Sequence, residues 1–391
     1  MPTVEQVRDV LAEINDPELH RSIVELGMVK GIEIVGSQVI VDLALTIPGC
    51  PLKSYFQEVL PAKVKGTFSE ISDVQVNLGA MTEEERKTLV GGLKTPETTP
   101  FARADSSTTV IAVGSGKGGV GKSTVTVNLA AGLAKRGHTV GLLDADIWGF
   151  SIPRMVGVAQ QPTLVDENLW IPPEAYGFKM ISLGNLVPED QPIPMRGPML
   201  HKILQEFLSK VHWQEPEYLL IDMPPGTGDV TLSLGQFVPG AAFISVTTPQ
   251  QAAMRVAERA VHAVGKVGMK IAGVIENMAY AICDQCGERT YPFGSGGGQA
   301  LADKFAVPLL GRIPLDPPMR DFADNGKPAV ISLPDSPSAA AFNSIIDELV
   351  LAFPPRPKGS STRKRLPLLP LRGNGSGNGH QHSHPSHEHT H

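Results

Sequence analysis

Gly116-Lys117-Gly118-Gly119-Val120-Gly121-Lys122-Ser123 decides how this chain is read. It follows Val110-Ile111-Ala112-Val113, an apolar run of strand type, and it precedes a helical pattern over residues 125–135. Strand, glycine-rich loop and helix in that order are the setting a phosphate-binding P-loop requires. The glycines let the backbone curl until successive N–H groups face phosphate oxygens, and the helix N-terminus adds its positive end. Gly116, Lys117, Gly118, Gly119, Val120, Gly121, Lys122, Ser123 and Thr124 are therefore the predicted binding residues for ATP. Lys122 would serve the β- and γ-phosphates, and Ser123 would give an oxygen to Mg2+.

Working outward, short apolar runs at 140–144, 218–222, 242–246 and 271–276 end in polar or acidic residues. They alternate with helical segments, which is the pattern of a parallel sheet with crossover helices. The predicted fold is α/β: a P-loop NTPase domain with a mainly parallel sheet over 109–353. A ligand belongs at the carboxyl ends of such strands, where Asp144, Asp222 and Asn277 fall. Asp222 closes an apolar strand and opens Asp222-Met223-Pro224-Pro225-Gly226-Thr227-Gly228-Asp229, so it takes the Walker-B place beside Mg2+. Asp144 and Asp146 are suited to orienting a water or completing the metal's shell, with the division between them left open. A lone aspartate is as often a cap or turn residue; three at the expected strand ends favour catalysis.

Before the sheet, residues 1–93 read as a small α+β domain. Helical spacing over 4–15 stops at Asp16-Pro17-Glu18, and 28–35 and 38–45 form a hairpin about Gly36-Ser37. A helix after Pro51, a strand near 72–77 and a helix over 83–93 complete it. Residues 94–108 are polar, contain two prolines and read as a linker. Residues 354–391, with GNGSGNG and six histidines in the last twelve positions, read as a disordered tail.

The net charge of −6 conceals an asymmetry. From Phe353 onward six Lys and Arg face one acid, which leaves 28 basic and 39 acidic residues before it. An acidic body argues against nucleic-acid binding. No apolar run is long enough to span a membrane, no export signal is legible, and three cysteines do not make a disulfide framework. A reducing cytoplasm is the expected location.

Two of those cysteines stand as Cys283-Asp284-Gln285-Cys286-Gly287, just past the strand that ends at Asn277. Two thiolates are half the ligand set that zinc or an iron–sulfur cluster takes. No other Cys or His is close in sequence. A symmetric dimer that brings two such pairs together would supply four thiolates, so a homodimer is expected. A shared zinc site and a redox-active dithiol remain alternatives at this point.

Lys117, directly after the first glycine, makes the loop resemble the deviant Walker A of the dimeric class that includes nitrogenase iron protein and the MinD and ParA types. That resemblance implies that Lys117 reaches the partner's nucleotide across the dimer. It also implies catalytic roles for Lys122, Asp146 and Asp222, and an adenine contact for Asn277. With DMPPGTGD, VIENMA and the CxxC, residues 100–350 resemble the Mrp (ApbC) family of iron–sulfur cluster carrier ATPases. The family implies a 4Fe-4S cluster held by Cys283 and Cys286 of both subunits, received from scaffold proteins and passed to apoproteins under the control of ATP. The first ~90 residues resemble the small iron–sulfur maturation domain often fused to such proteins, with Cys50 in Gly49-Cys50-Pro51 either a transient ligand or an inert buried thiol. A MinD- or ParA-like positioning switch is the alternative, but it predicts a membrane helix or a basic DNA face and leaves CDQC unexplained. A reductase of the nitrogenase iron-protein type would need an electron-accepting partner that nothing in the sequence names.

Overall fold

The computed structural model describes residues 1–356, apart from 18, 20, 47–51, 94–98, 104, 148, 187–196, 227 and 284. Glu18, Cys50 and its flanking turn, Thr227, Asp284 and nearly all of the histidine-rich tail thus lie outside the described residues.

The amino-terminal unit runs α1 (Val4–Ala12), β1 (Val29–Val35), β2 (Gln38–Leu45), α2 (Lys53–Thr67), β3 (Asp73–Ala80) and α3 (Glu83–Leu93). Thr3 and Gln6 form a reciprocal capping box that starts α1. The helix ends three residues short of the expected 15, because Asn15 leaves the helical path to bridge Ser22. β2 pairs antiparallel with β1 and parallel with β3. Val39, Val41 and Leu43 alternate onto the face that receives Val7 and Leu11 of α1 and Phe56, Leu60 and Val64 of α2.

The larger unit opens with β4 (Thr109–Ser115), α4 (Lys122–Lys135), β5 (Val140–Asp144) and α5 (Ile152–Met155). A hairpin of β6 (Thr163–Asp166) and β7 (Leu169–Ile171) follows, then β8 (Glu174–Ala175) and β9 (Phe178–Ser182). Next come α6 (Gly197–Ser209), β10 (Tyr218–Asp222), α7 (Asp229–Phe237), β11 (Ala242–Thr247), α8 (Gln251–Lys266) and β12 (Lys270–Glu276). β13 (Ala281–Ile282), β14 (Arg289–Thr290), α9 (Gly297–Phe305), β15 (Leu309–Arg312), α10 (Pro317–Asp324), α11 (Ala329–Ser332) and α12 (Pro337–Ala352) complete it.

The central sheet has the order β15-β12-β11-β4-β10-β5-β9-β8 and is parallel except for the edge pair β8–β9. Both faces are covered. Ile111, Val113, Leu142 and Leu220 point into a core with α4 and α12, while Ala112, Leu143, Ile221 and Phe243 meet α6 and α7 on the other side. Burial on both faces explains why these strands read as continuous apolar runs rather than alternations. β9 escaped that reading: Lys179 interrupts its apolar run, yet the side chain is buried, with Nζ donating to Gln214 Oε1 at 2.6 Å and His212 O at 3.2 Å. Burial pulls the Lys179 ammonium down to about 8.

Within the stretch read as a linker, Phe101 is buried in the core beside α6 and α7, and Thr99 Oγ1 donates to Phe237 O. The β6–β7 hairpin puts Val165, Leu169 and Ile171 into the amino-terminal core, and Gln214 Nε2 donates to Leu19 O at 2.8 Å. Among the described residues no helix is long and apolar enough to cross a membrane.

Candidate functional site

β10 lies between β4 and β5, and its register sets Asp222 level with Val113 on one side and Asp144 on the other. Three carboxylates and one lysine therefore meet at the carboxyl edge of the sheet. Lys122, the first residue of α4, is 6% exposed, and its Nζ lies 2.6 Å from Asp222 Oδ2 and 3.5 Å from Asp146 Oδ2. Ser123 Oγ donates to Asp222 Oδ2 at 2.7 Å, and Thr126 Oγ1 donates to Asp222 Oδ1 at 2.7 Å. Both oxygens of Asp222 are thus occupied by the first five residues of α4. Thr126 was missed in the sequence, although its place three residues after Ser123 puts both hydroxyls on one helix face.

Asp144 is fully buried. Its Oδ2 accepts from Ser182 Oγ at 3.0 Å and its Oδ1 from the Asp146 N–H at 3.1 Å. Burial, then the charge of Asp222, raises its carboxyl well above the usual carboxylate range. Burial also raises Asp146, against the pull of Lys122. Asp144 thus orients the 144–146 turn from behind, and Asp146 is the acid that reaches the cavity.

That cavity, of about 710 Å³, is lined by Ser115, the loop from Lys117 to Thr124, Asp146, Pro224 and Pro225. Its opposite wall is formed by Ser151, Arg154 and Met155 with Ala323 and Asp324, none of which carried a sequence signal. Gly121 has φ +80°, and a Cβ on it would collide with the side-chain amide of Asn277. Only glycine combines that left-handed backbone with that approach. Asn277 is buried behind the loop, where its Nδ2 donates to Val120 O and its Oδ1 accepts from the Met278 N–H, both at 2.9 Å. It is not among the residues lining the cavity. Lys117 donates to Gln250 Oε1 of the same chain at 3.1 Å.

The cysteines are carried by a small hairpin in which β13 pairs antiparallel with β14. The Cys283 N–H donates to Glu288 O, and the Gly287 N–H returns to Cys283 O at 2.8 Å. At its base the Arg289 guanidinium stacks 4.4 Å from the Tyr280 ring centroid. Cys286 is exposed, Cys283 is half-buried, and neither is in a disulfide. Among the described residues no third His, Cys, Asp or Glu joins them to make a metal-binding group. The hairpin leaves the sheet at the end of β12, so the strand that carries Asn277 behind the P-loop leads directly to Cys283.

Residues 106–350 match the family described as NUBPL iron-transfer P-loop NTPase, and residues 4–78 match the iron-sulfur cluster assembly protein family. The iron-sulfur cluster carrier protein of Mycobacterium tuberculosis is 46% identical over 373 residues, which is 92% of this chain and 93% of that one. The carrier protein of the same name from Synechocystis is 40% identical over 89% of this chain and 97% of its own. Among solved structures, a nucleotide-binding protein from Archaeoglobus fulgidus in complex with ADP is 37% identical, with a TM-score of 0.52. That match spans 60% of this chain and 93% of the other.

Proposed function

The chain belongs to the NUBPL iron-transfer P-loop NTPase family, and from that premise we propose that it is an ATP-dependent carrier of a 4Fe-4S cluster. The cluster is cargo, bound between two copies of the chain by Cys283 and Cys286 of each and handed to apoproteins. The observation that carries this reading is the hairpin itself. It carries an exposed Cys286 and a half-buried Cys283 beyond the nucleotide sheet, and among the described residues no third donor joins them in a metal-binding group. Four thiolates from two chains meet the requirement of a cubane cluster.

ATP would lie in the cavity with its phosphates against the N–H groups of residues 118–123. Ser123 Oγ and Asp222 Oδ2 form an adjacent pair of hard oxygen donors, which is the donor chemistry Mg2+ requires, and together they would hold it. The metal ion would neutralise phosphate charge. Lys122, held by Asp222 and Asp146, would swing forward onto the β- and γ-phosphates. Asp146 orients the attacking water and accepts its proton as the water oxygen bonds to the γ-phosphorus and the bond to ADP breaks. Lys117 serves the nucleotide of the partner. An adenine contact by Asn277 would have to share or replace the Nδ2 bond to Val120 O.

The test is anaerobic reconstitution of the protein with Cys283→Ala and Cys286→Ala, followed by iron and sulfide analysis and transfer to an apoprotein. The unaltered chain should hold about four iron and four sulfide per dimer, and the variant neither. A variant that kept the brown chromophore and the transfer would sink the reading, and zinc alone in protein isolated without air would replace the cluster with a structural metal.

A further inference from the structure

Between β11 and α8 runs a short connection, residues 248–250, that touches the P-loop on one side and the start of α9 on the other. Its last member, Gln250, precedes α8 in extended backbone and accepts the ammonium of Lys117 at 3.1 Å. On the P-loop side, Gly116 lies directly on α8, where a Cβ would collide with the backbone of Val256 and Ala257. On the hairpin side, Gly297 at the foot of α9 lies on the carbonyl of Pro249 in the same way. The Gly298 N–H donates to Glu276 Oε1 at 2.7 Å, which fixes α9 to the end of β12. Backbone packed on backbone leaves no flexible side chain to absorb a displacement. The helix held there is the one that follows the cysteine hairpin in the chain.

A neutral amide oxygen is a weaker acceptor for an ammonium than a phosphate oxygen, which carries a negative charge of its own. Gln250 and a nucleotide phosphate therefore compete for the same Nζ, which gives the lysine two discrete arrangements. We propose that Gln250 is a positioning residue for Lys117, holding the lysine until a phosphate takes it, and that the exchange reaches the cysteine hairpin through Pro249 and Gly297. The inference rests on the ATP-dependent carrier reading and names the part of the chain that links its two halves.

The experiment compares Gln250→Glu and Gln250→Ala in the full chain. Glutamate converts the contact to an ion pair, so ATP turnover should fall about tenfold. Alanine removes the acceptor, so turnover should rise, on the order of two- to threefold. In metal-free protein, the alkylation rates of Cys283 and Cys286, resolved by peptide mass spectrometry, should respond to a non-hydrolysable ATP analogue. That response should vanish in Gln250→Glu. A residue that merely starts α8 would move both variants in the same direction, and that outcome, or wild-type behaviour in both, overturns the proposal. Alkylation indifferent to nucleotide in the unaltered chain overturns the link to the hairpin. A chain that hydrolyses ATP yet never takes up a cluster overturns the carrier reading instead, and turnover and alkylation still decide on Gln250.

Discussion

Around Lys122 the charged groups are enclosed and answered within the chain: the ammonium by Asp222 and Asp146, Asp222 by two hydroxyls, Asp144 by Ser182. Around Cys286 the surface is open, and the contacts of the hairpin among the described residues include backbone hydrogen bonds at Cys283, a two-residue ladder and the stacked Arg289. The first site is assembled by the fold of one chain, so its residues carry stability as well as chemistry. The second is a small surface hairpin off the end of β12, so its residues should contribute little to stability.

The widest separation between the two should come from paired changes. Cys283→Ser with Cys286→Ser is expected to abolish cluster retention while leaving the melting midpoint and nucleotide affinity unchanged, as surface substitutions do within about 0.5 kcal/mol. A fall in midpoint would show that the hairpin contributes to the core. Lys122→Ala should do the reverse: ATP affinity falls about 100-fold, measured by calorimetry, and stability falls by about 3 kcal/mol because buried carboxylates lose their cation. Unchanged stability in urea unfolding would contradict the picture of a site integral to the fold.

Lys117→Ala tests the intermediate case. Its ammonium binds a neutral amide at a half-buried position, so unfolding should shift by no more than about 0.5 kcal/mol. ATP turnover should fall at least tenfold, as for loss of a charge-assisted contact. The last effect is expected at Asp144→Asn, which should stabilise the protein by at least about 1 kcal/mol at pH 8 and above without added nucleotide. The sign follows from the raised carboxyl. Relative to the unfolded chain, the native state binds an extra proton between the ordinary value near 4 and the raised value of about 8. That contribution is full below about pH 4 and is lost as pH rises through about 8. The midpoint advantage of the asparagine variant should therefore be largest above pH 8 and vanish toward pH 4; a constant advantage would refute the assignment.

What the sequence disclosed depended on whether a residue belongs to a pattern. The P-loop lies between β4 and α4 as its context requires, and Asp144 and Asp222 stand at adjacent strand ends. Elements of the small amino-terminal unit fell within a few residues of their expected places, because alternation and caps are local properties. β9 was lost because one lysine broke the run, and only its placement beside Gln214 and His212 explains how that lysine is buried. Arg154 and Asp324 come from α5 and the end of α10, far apart in sequence, and no spacing announces a shared wall. Gln250 is one polar residue before a helix, and its meaning comes wholly from the lysine across from it. The cysteine pair was legible as a motif because its spacing is local to one turn.

Tyr218 opens β10 at the amino edge of the sheet, level with Thr109 and Val140, and its hydroxyl donates to Phe353 O. Arg356 reaches Ser106 O on the same side. The last described residues thus lie at the edge opposite the nucleotide loop. A fluorophore attached at position 356 would therefore sit away from the nucleotide cavity and report on the protein without obstructing it.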